Sequence, residues 1–262
     1  MNTNLSKRTA LVGGASQGLG AAVAAELALL GANVIVLARN EEKLKQVVAG
    51  LDASRQQQHS YIVADANEPQ LLQQKVKALL DKGQEIEILV NNTGGPPSGL
   101  LIETDVLELE KAFRAQVITA HLLVQTLLPG MKRAQFGRIV NITSTSVKQP
   151  IAGLGISNTV RAAVASWAKT LANEIAADGI TVNNVLPGYT KTDRLDFLFG
   201  KQASAAGVPV EDIVGKMEAT IPAGRLGEPE DLAAAVAFLC TPAAGYINGI
   251  NLPVDGGRTG SL

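Results

Sequence analysis

Short aliphatic runs recur along the chain, each followed by a longer stretch with helical spacing, and this alternation restricts the fold more than any other feature. The runs are Thr9–Val12, Val34–Leu37, Tyr61–Val63, Ile86–Val90, Arg138–Ile142 and Ile180–Val185. Between them, residues 18–30, 41–51, 69–82, 105–133 and 157–178 carry apolar side chains at helical intervals. A strand reads as a near-continuous apolar run when helices cover both of its faces. Strand–helix alternation of this kind therefore predicts a parallel sheet with right-handed crossovers. A last helix at 230–240 and a short strand at Asn251–Val254 close the series. No linker divides it, and Gly94-Gly95-Pro96-Pro97-Ser98-Gly99 reads as an internal loop. The expected fold class is α/β, with residues 1–262 in one doubly wound domain.

Composition agrees. Hydrophobic residues make up 46% of the 262, but aromatics only 3%, so Ala, Val, Leu and Ile must fill the core. The formal net charge of −1 and the lack of a basic run argue against a nucleic-acid partner. One cysteine, Cys240, can form no internal disulfide, which fits a reducing compartment. No signal peptide or membrane span is recognised, and the expected location is the cytoplasm.

The loop Gly13-Gly14-Ala15-Ser16-Gln17-Gly18-Leu19-Gly20 follows the first run and opens the first helical stretch. Glycines there let the backbone turn tightly and approach a pyrophosphate, which the helix N-terminus attracts with free N–H groups and a positive dipole end. This is a Rossmann arrangement, with Gly14, Ser16, Gln17, Gly18, Leu19 and Gly20 expected around a dinucleotide. Enzymes that use NAD usually carry an acid at the end of the second strand, to bond the ribose 2′-hydroxyl. Here Arg39-Asn40 stands there instead. A guanidinium pairs well with a 2′-phosphate, so the expected cofactor is NADP. After the third strand, Asp65 can bond the adenine amine, with Ala66 beside it. After the fourth, Asn91 and Gly94 flank the adenosine ribose.

The same loop, Asn91-Asn92-Thr93-Gly94, Arg138-Ile139-Val140-Asn141-Ile142-Thr143-Ser144, Pro187-Gly188, Ile221-Pro222-Ala223-Gly224-Arg225-Leu226-Gly227-Glu228-Pro229-Glu230 and Val254-Asp255-Gly256-Gly257 resemble the short-chain dehydrogenase/reductase family. The likeness runs through nearly the whole chain and is greatest to the 3-oxoacyl-carrier-protein reductase branch. It implies a seven-stranded sheet, a nicotinamide cofactor, a small-molecule substrate, and a homotetramer or homodimer built on the fourth and fifth long helices. It also implies that Pro187, Gly188, Thr190 and Thr192 cover the nicotinamide, Thr192 bonding the carboxamide.

The family's chemistry uses a serine, a tyrosine thirteen residues later, a lysine four further on, and an asparagine in the preceding long helix. Carried over by spacing, Ser144 matches. The tyrosine position falls on Ser157, the lysine position on Arg161 and the asparagine position on Gln116. The only tyrosines are Tyr61, Tyr189 and Tyr246, so no shift of register restores the phenol. A serine hydroxyl is shorter and far less acidic than a phenol, whose pKa is near ~10. Arginine cannot serve as an acid or base near neutrality, but Arg161 can still donate to ribose hydroxyls. Tyr189, after the sixth strand, is a candidate replacement proton donor from the other side of the pocket.

Several residues read as structural. His59 and His121 lack a second ligand at metal spacing, Cys240 reads as a small buried side chain, and Trp167 as a core or interface residue. The segment 190–220 is expected to lid the substrate, and its Ala and Gly content suggests mobility. The apolar Ile151, Ala152, Leu154, Ile156, Leu195, Phe197, Leu198 and Phe199 favour an uncharged ligand. The functional expectation is an NADP-dependent oxidoreductase acting on a carbonyl or alcohol with altered proton transfer. Alternatives are a non-catalytic NADP-binding sensor or partner subunit, and a non-redox lyase or isomerase.

Overall fold

Seven strands form one fully parallel sheet in the order β3-β2-β1-β4-β5-β6-β7. The computed structural model describes residues 1–261. The strands are β1 (Thr9–Gly13), β2 (Asn33–Ala38), β3 (Ser60–Val63), β4 (Ile88–Asn91), β5 (Gly137–Ile142), β6 (Ile180–Pro187) and β7 (Asn251–Val254). Their apolar side chains divide by the two-residue period of a strand. Ala10, Val12, Val34, Val36, Val140 and Val185 face one core, while Leu11, Ile35, Leu37, Ile139 and Val182 face the other. Both faces need cover, and each is given helices.

The first face is covered by α1 (Gly18–Leu29), α2 (Glu41–Gly50) and, at the far end, a helix at Pro229–Leu239. The second is covered by α3 (Pro69–Leu80), the long helix made of α4 (Val106–Phe113) and α5 (Thr119–Ala134), and α6 (Gly155–Ile175). The expected stretch at 105–133 is therefore helical, but not uniform. One turn at Arg114–Ile118 is a π-helix, which widens the ladder. Thr119 N closes the wide turn by donating to Arg114 O, and Thr119 Oγ1 shares its proton between Ala66 O at 2.7 Å and Arg114 O at 3.1 Å.

β4 begins later than its apolar run predicts, at Ile88 rather than Ile86. Just before it, the Glu87 carboxylate accepts from Thr9 N and Arg8 Nη1, both at 3.0 Å, at the lower end of the sheet. The segment at 190–220 is largely helical. It holds two helices, α7 (Asp193–Ala206) and α8 (Val210–Glu218), around a small core of their own that includes Leu195, Phe199, Ala203 and Ile213. Pro229–Leu239 is then α9; Pro229 fills its first position, and Glu228 and Asp231 form a capping box. No helix among the described residues is long and apolar enough to cross a membrane.

Four asparagines join the last four strands, from the end of β4 through β5 and the middle of β6 to the start of β7. Asn91 Nδ2 donates to Asn141 Oδ1, Asn141 Nδ2 to Asn184 Oδ1, and Asn184 Nδ2 to Asn251 Oδ1, each at 2.8 Å. The parallel register places these residues directly beside one another. Asn141 and Asn184 are almost wholly buried. A buried amide is tolerated where both its donor and its acceptor are used, and a ladder across neighbouring strands achieves that.

Candidate active site

The upper ends of β1, β2, β4 and β5 open into a cleft of about 650 Å³. Its floor at one end is the glycine loop. Gly14 and Gly18 have φ of +58° and +56°, which L side chains rarely adopt. A Cβ on Gly20 would lie 2.3 Å from Gly14 O, so this glycine serves close packing of loop on helix. Asn92 Nδ2 donates to Gly13 O and Gly14 O at 3.2 and 3.3 Å and ties the loop to β4. Gln17, the N-cap of α1, makes no side-chain capping bond. The first-turn N–H groups are therefore left for a ligand, as an anion at a helix N-terminus requires.

Gly14, Ser16, Gln17, Arg39, Asn40, Asp65, Ala66, Asn91 and Gly94 all line this cleft, as does Arg161 at its inner end. Leu19 and Gly20 lie behind the loop. Asn40 accepts from Lys43 N at 3.0 Å and caps α2. Arg39 is largely exposed, 3.8 Å from Asp65. Asp65 in turn accepts from the backbone and side-chain amides of Asn67, so its carboxylate is partly engaged before any ligand arrives. Lys43, which sequence reasoning passed over, also lines the cleft and bonds Gln17 Oε1. Its signal was legible: helix first turns favour acids, and this cation sits in one beside Arg39.

The inner end holds the substituted positions. Arg161 lies on α6 and is 8% exposed, with Nη1 donating to Ile142 O at 2.7 Å. Desolvation, helped by the nearby Arg194 charge, lowers its pKa to about 10, so it remains a cation at neutral pH. Gln116 is carried inward by the π turn and is 6% exposed. Among the described residues, Gln116 Oε1 and Arg161 Nε have no hydrogen-bond partner. An unfilled acceptor and an unfilled donor thus belong to two residues lining one cleft. A ligand hydroxyl, which both donates and accepts, would satisfy such a pair.

The remaining candidates lie to one side. Ser144 Oγ accepts from Ser146 N at 3.1 Å and caps a short 3-10 turn. Ser157 is half-buried on α6, one turn before Arg161. Tyr189 faces a second cavity, not the main cleft. That cavity, about 520 Å³, lies between the loops that follow β5 and β6. Pro187 ends β6, and Gly188 N donates to Val254 O at 3.0 Å. Thr190 is buried, and Thr192 caps α7 with its methyl facing Gly18. Of the eight apolar residues expected around the substrate, Leu195 and Phe199 lie in the small core of α7 and α8, while Ile151 and Ala152 line the second cavity.

Arg194, from α7, reaches across the mouth of the cleft. Its Nη1 donates to Gly95 O at 2.8 Å and its Nη2 to Pro96 O at 3.0 Å. Gln17 Nε2 donates to Asp193 Oδ2 at 2.8 Å. The start of α7 is thereby fastened to both the β4 loop and the glycine loop. His59, His121 and Cys240 are structural: His59 Nδ1 accepts from Val34 N at 3.1 Å, and Trp167 Nε1 donates to His121 Nδ1 at 3.3 Å. Burial pushes the Cys240 thiol up to about 12. No group of three potential metal ligands occurs among the described residues.

A family model described as enoyl-(acyl carrier protein) reductase matches residues 14–259. The 3-oxoacyl-[acyl-carrier-protein] reductase FabG of Vibrio cholerae is 34% identical over 254 residues, 97% of this chain and 98% of the relative. The chain belongs to the short-chain dehydrogenase/reductase family. An uncharacterized oxidoreductase of Mycobacterium tuberculosis is 30% identical, over 97% of this chain and 93% of its own length. Among solved structures, L-sorbose reductase of Gluconobacter frateurii, complexed with NADPH and L-sorbose, superposes with a TM-score of 0.94 at 27% identity over the full length of both chains. YwfH, an NADPH-dependent reductase involved in bacilysin biosynthesis, superposes with a TM-score of 0.91 at 27% identity over 98% of this chain and 100% of the other. This member of the short-chain dehydrogenase/reductase family is FabG-like in sequence, and an NADP cofactor accords with these relatives.

Proposed function

We propose that the chain is an NADP-dependent oxidoreductase acting on a carbonyl or alcohol, with a proton-transfer apparatus unlike that of its relatives. The observation that carries this reading is the continuous cleft from Lys43 and Arg39 to Arg161, with an uncapped helix N-terminus between them. Arg39 and Lys43 hold the 2′-phosphate. The N–H groups of Ser16 to Leu19 meet the pyrophosphate, and Asn91 Oδ1 accepts from the adenosine ribose. Arg161 and Gln116 use their unfilled atoms on the nicotinamide ribose. Pro187, Gly188, Thr190 and Thr192 support the lid over the nicotinamide. When bound, the cofactor supplies the hydride.

Ser144 donates to the substrate oxygen, while the fixed charge of Arg161 favours the developing alkoxide. Neither Arg161, which stays protonated, nor Ser157, whose hydroxyl is too weak an acid, delivers the proton. That task falls to water or to Tyr189. The exposed apolar residues Val106, Leu107, Phe113 and Ile118, with Trp167 on α6, support a homo-oligomer built on these helices.

The test is NADPH oxidation with a panel of 3-oxoacyl thioesters, ketones and ketoses, after NADPH binding is established by titration. Turnover by the unaltered protein supports the proposal. Binding without turnover across the panel, with activity appearing only in Ser157→Tyr/Arg161→Lys, would favour a non-catalytic NADP-binding protein. The three substituted positions Ser157, Arg161 and Gln116 are what give that second reading weight.

A further inference from the structure

The second cavity carries an unused cation. Arg258, four residues beyond β7, places its guanidinium 4.5 Å from the centre of the Tyr189 ring, with Nη2 donating to the phenol oxygen at 3.4 Å. Its backbone is fixed as well. Arg258 N and Thr259 N donate to Asp255 O and Oδ2 at 3.3 and 2.8 Å. Yet Arg258 Nε is buried without a hydrogen-bond partner. Among the described residues, no carboxylate forms an ion pair with it; Asp255 turns its carboxylate to the backbone of Gly257 and Thr259. Thr145, Gln149, Thr220 and Thr259 supply neutral polar groups to the same cavity, and none of its lining residues is acidic.

A guanidinium held in place, half-buried and without a counter-charge among the described residues is poised for a planar oxyanion that can take two parallel N–H bonds. The cavity lies at the carboxyl ends of the strands, where open α/β sheets bind ligands. Thr145, which lines this cavity, follows Ser144 directly in the chain. We propose that Arg258 binds a carboxylate of the substrate, which makes the substrate an oxo acid or hydroxy acid. Thr145 and Thr259 then donate to the same carboxylate, and the apolar wall of Ile151 and Ala152 covers the carbon chain. This inference rests on the oxidoreductase reading for the reaction, but not for the binding.

The test separates the two. Pyruvate, acetoacetate and levulinate are compared with their methyl esters, by NADPH oxidation and by calorimetric titration of the NADP⁺-loaded protein. The expected result is a preference of about 10- to 100-fold for at least one acid over its ester. Arg258→Gln is expected to abolish that preference, through KM or Kd, without altering NADPH affinity or the far-ultraviolet circular dichroism. Arg258→Lys is expected to restore part of it. If no substrate is turned over, the calorimetric preference and its loss in Arg258→Gln still support the carboxylate site, while the oxidoreductase reading fails. Equal binding of acids and esters, no binding of either, or a preference that survives in Arg258→Gln would overturn the proposal. Inorganic phosphate competing as well as the best acid would also overturn it.

Discussion

Asn141→Ala cuts the asparagine ladder at its most buried link. Two hydrogen bonds of 2.8 Å are lost, one from Asn91 and one to Asn184. Asn91 lines the cleft, where water can replace its lost partner. Asn184 is 2% exposed, and its Oδ1 is left without a donor. An orphaned buried polar group costs about 1–3 kcal/mol, and the ordinary net loss at the other bond adds about 1 kcal/mol. The expected destabilisation is therefore about 2–4 kcal/mol, or roughly 4–16 °C in Tm for a chain of this size. Asn91→Ala is expected to cost only about 1 kcal/mol, because Asn91 and Asn141 both border the cleft and water can enter the space the Asn91 side chain leaves and donate to Asn141 Oδ1. In Asn141→Ala/Asn184→Ala both partners of one bond are gone, so the double variant should lose less than the sum of the singles. Urea denaturation followed by circular dichroism, at one fixed protein concentration, measures the wild type, Asn141→Ala, Asn184→Ala, Asn91→Ala and the double variant. If Asn141→Ala loses less than about 1 kcal/mol, or no more than Asn91→Ala, the ladder does not hold the sheet as argued.

Arg39→Ala should raise the Kd for NADPH about ten-fold while leaving NADH binding nearly unchanged, since a charge-assisted bond at an exposed site lies at the weak end of its range; fluorescence titration reads both. Arg194→Ala removes the strap from Gly95 and Pro96, and is expected to raise the KM for NADPH several-fold with little change in Tm, as followed by steady-state kinetics and a thermal melt. Cys240 is buried, with its pKa pushed up to about 12, so a thiol reagent should find no reactive group in the native protein and one per chain in guanidinium. Bonds from Arg225 and from the backbone of Glu228 lower Asp231 to about 2. A depressed folded-state value stabilises fully above the unfolded pKa of about 4, and that contribution fades as pH falls towards about 2. The stability gap between wild type and Asp231→Asn should thus stay level from pH 7 to 5 and close below about pH 3, with solvent exposure keeping it small.

The sheet was legible in the sequence because its cause is local. A strand covered on both faces is largely apolar, and most of the runs show this in their own residues, although β5 and β6 also carry Arg138, Asn141, Thr181, Asn183 and Asn184. The glycine loop, Arg39 and Asn91 were legible for the same reason: a tight turn, a strand end and a helix start place them on the cleft whatever else the chain does. Spacing along one helix also put Ser157 and Arg161 on one face. Pairings between remote segments were not legible. No sequence period announces that Asn91, Asn141, Asn184 and Asn251 meet in register, since strand order decides it. The π turn that carries Gln116 inward follows from how one long helix fits two neighbours. Arg258 reads as a tail residue until the loops after β5 and β6 close a cavity around it. Apolar residues such as Leu195 and Phe199 suit a ligand and a lid core equally well by composition, and only packing assigned them to the lid. The sequence alone thus determined the sheet and the dinucleotide cleft, each of which a short segment specifies. The tertiary structure decided the second cavity, because its charge and its shape come from segments far apart in the chain.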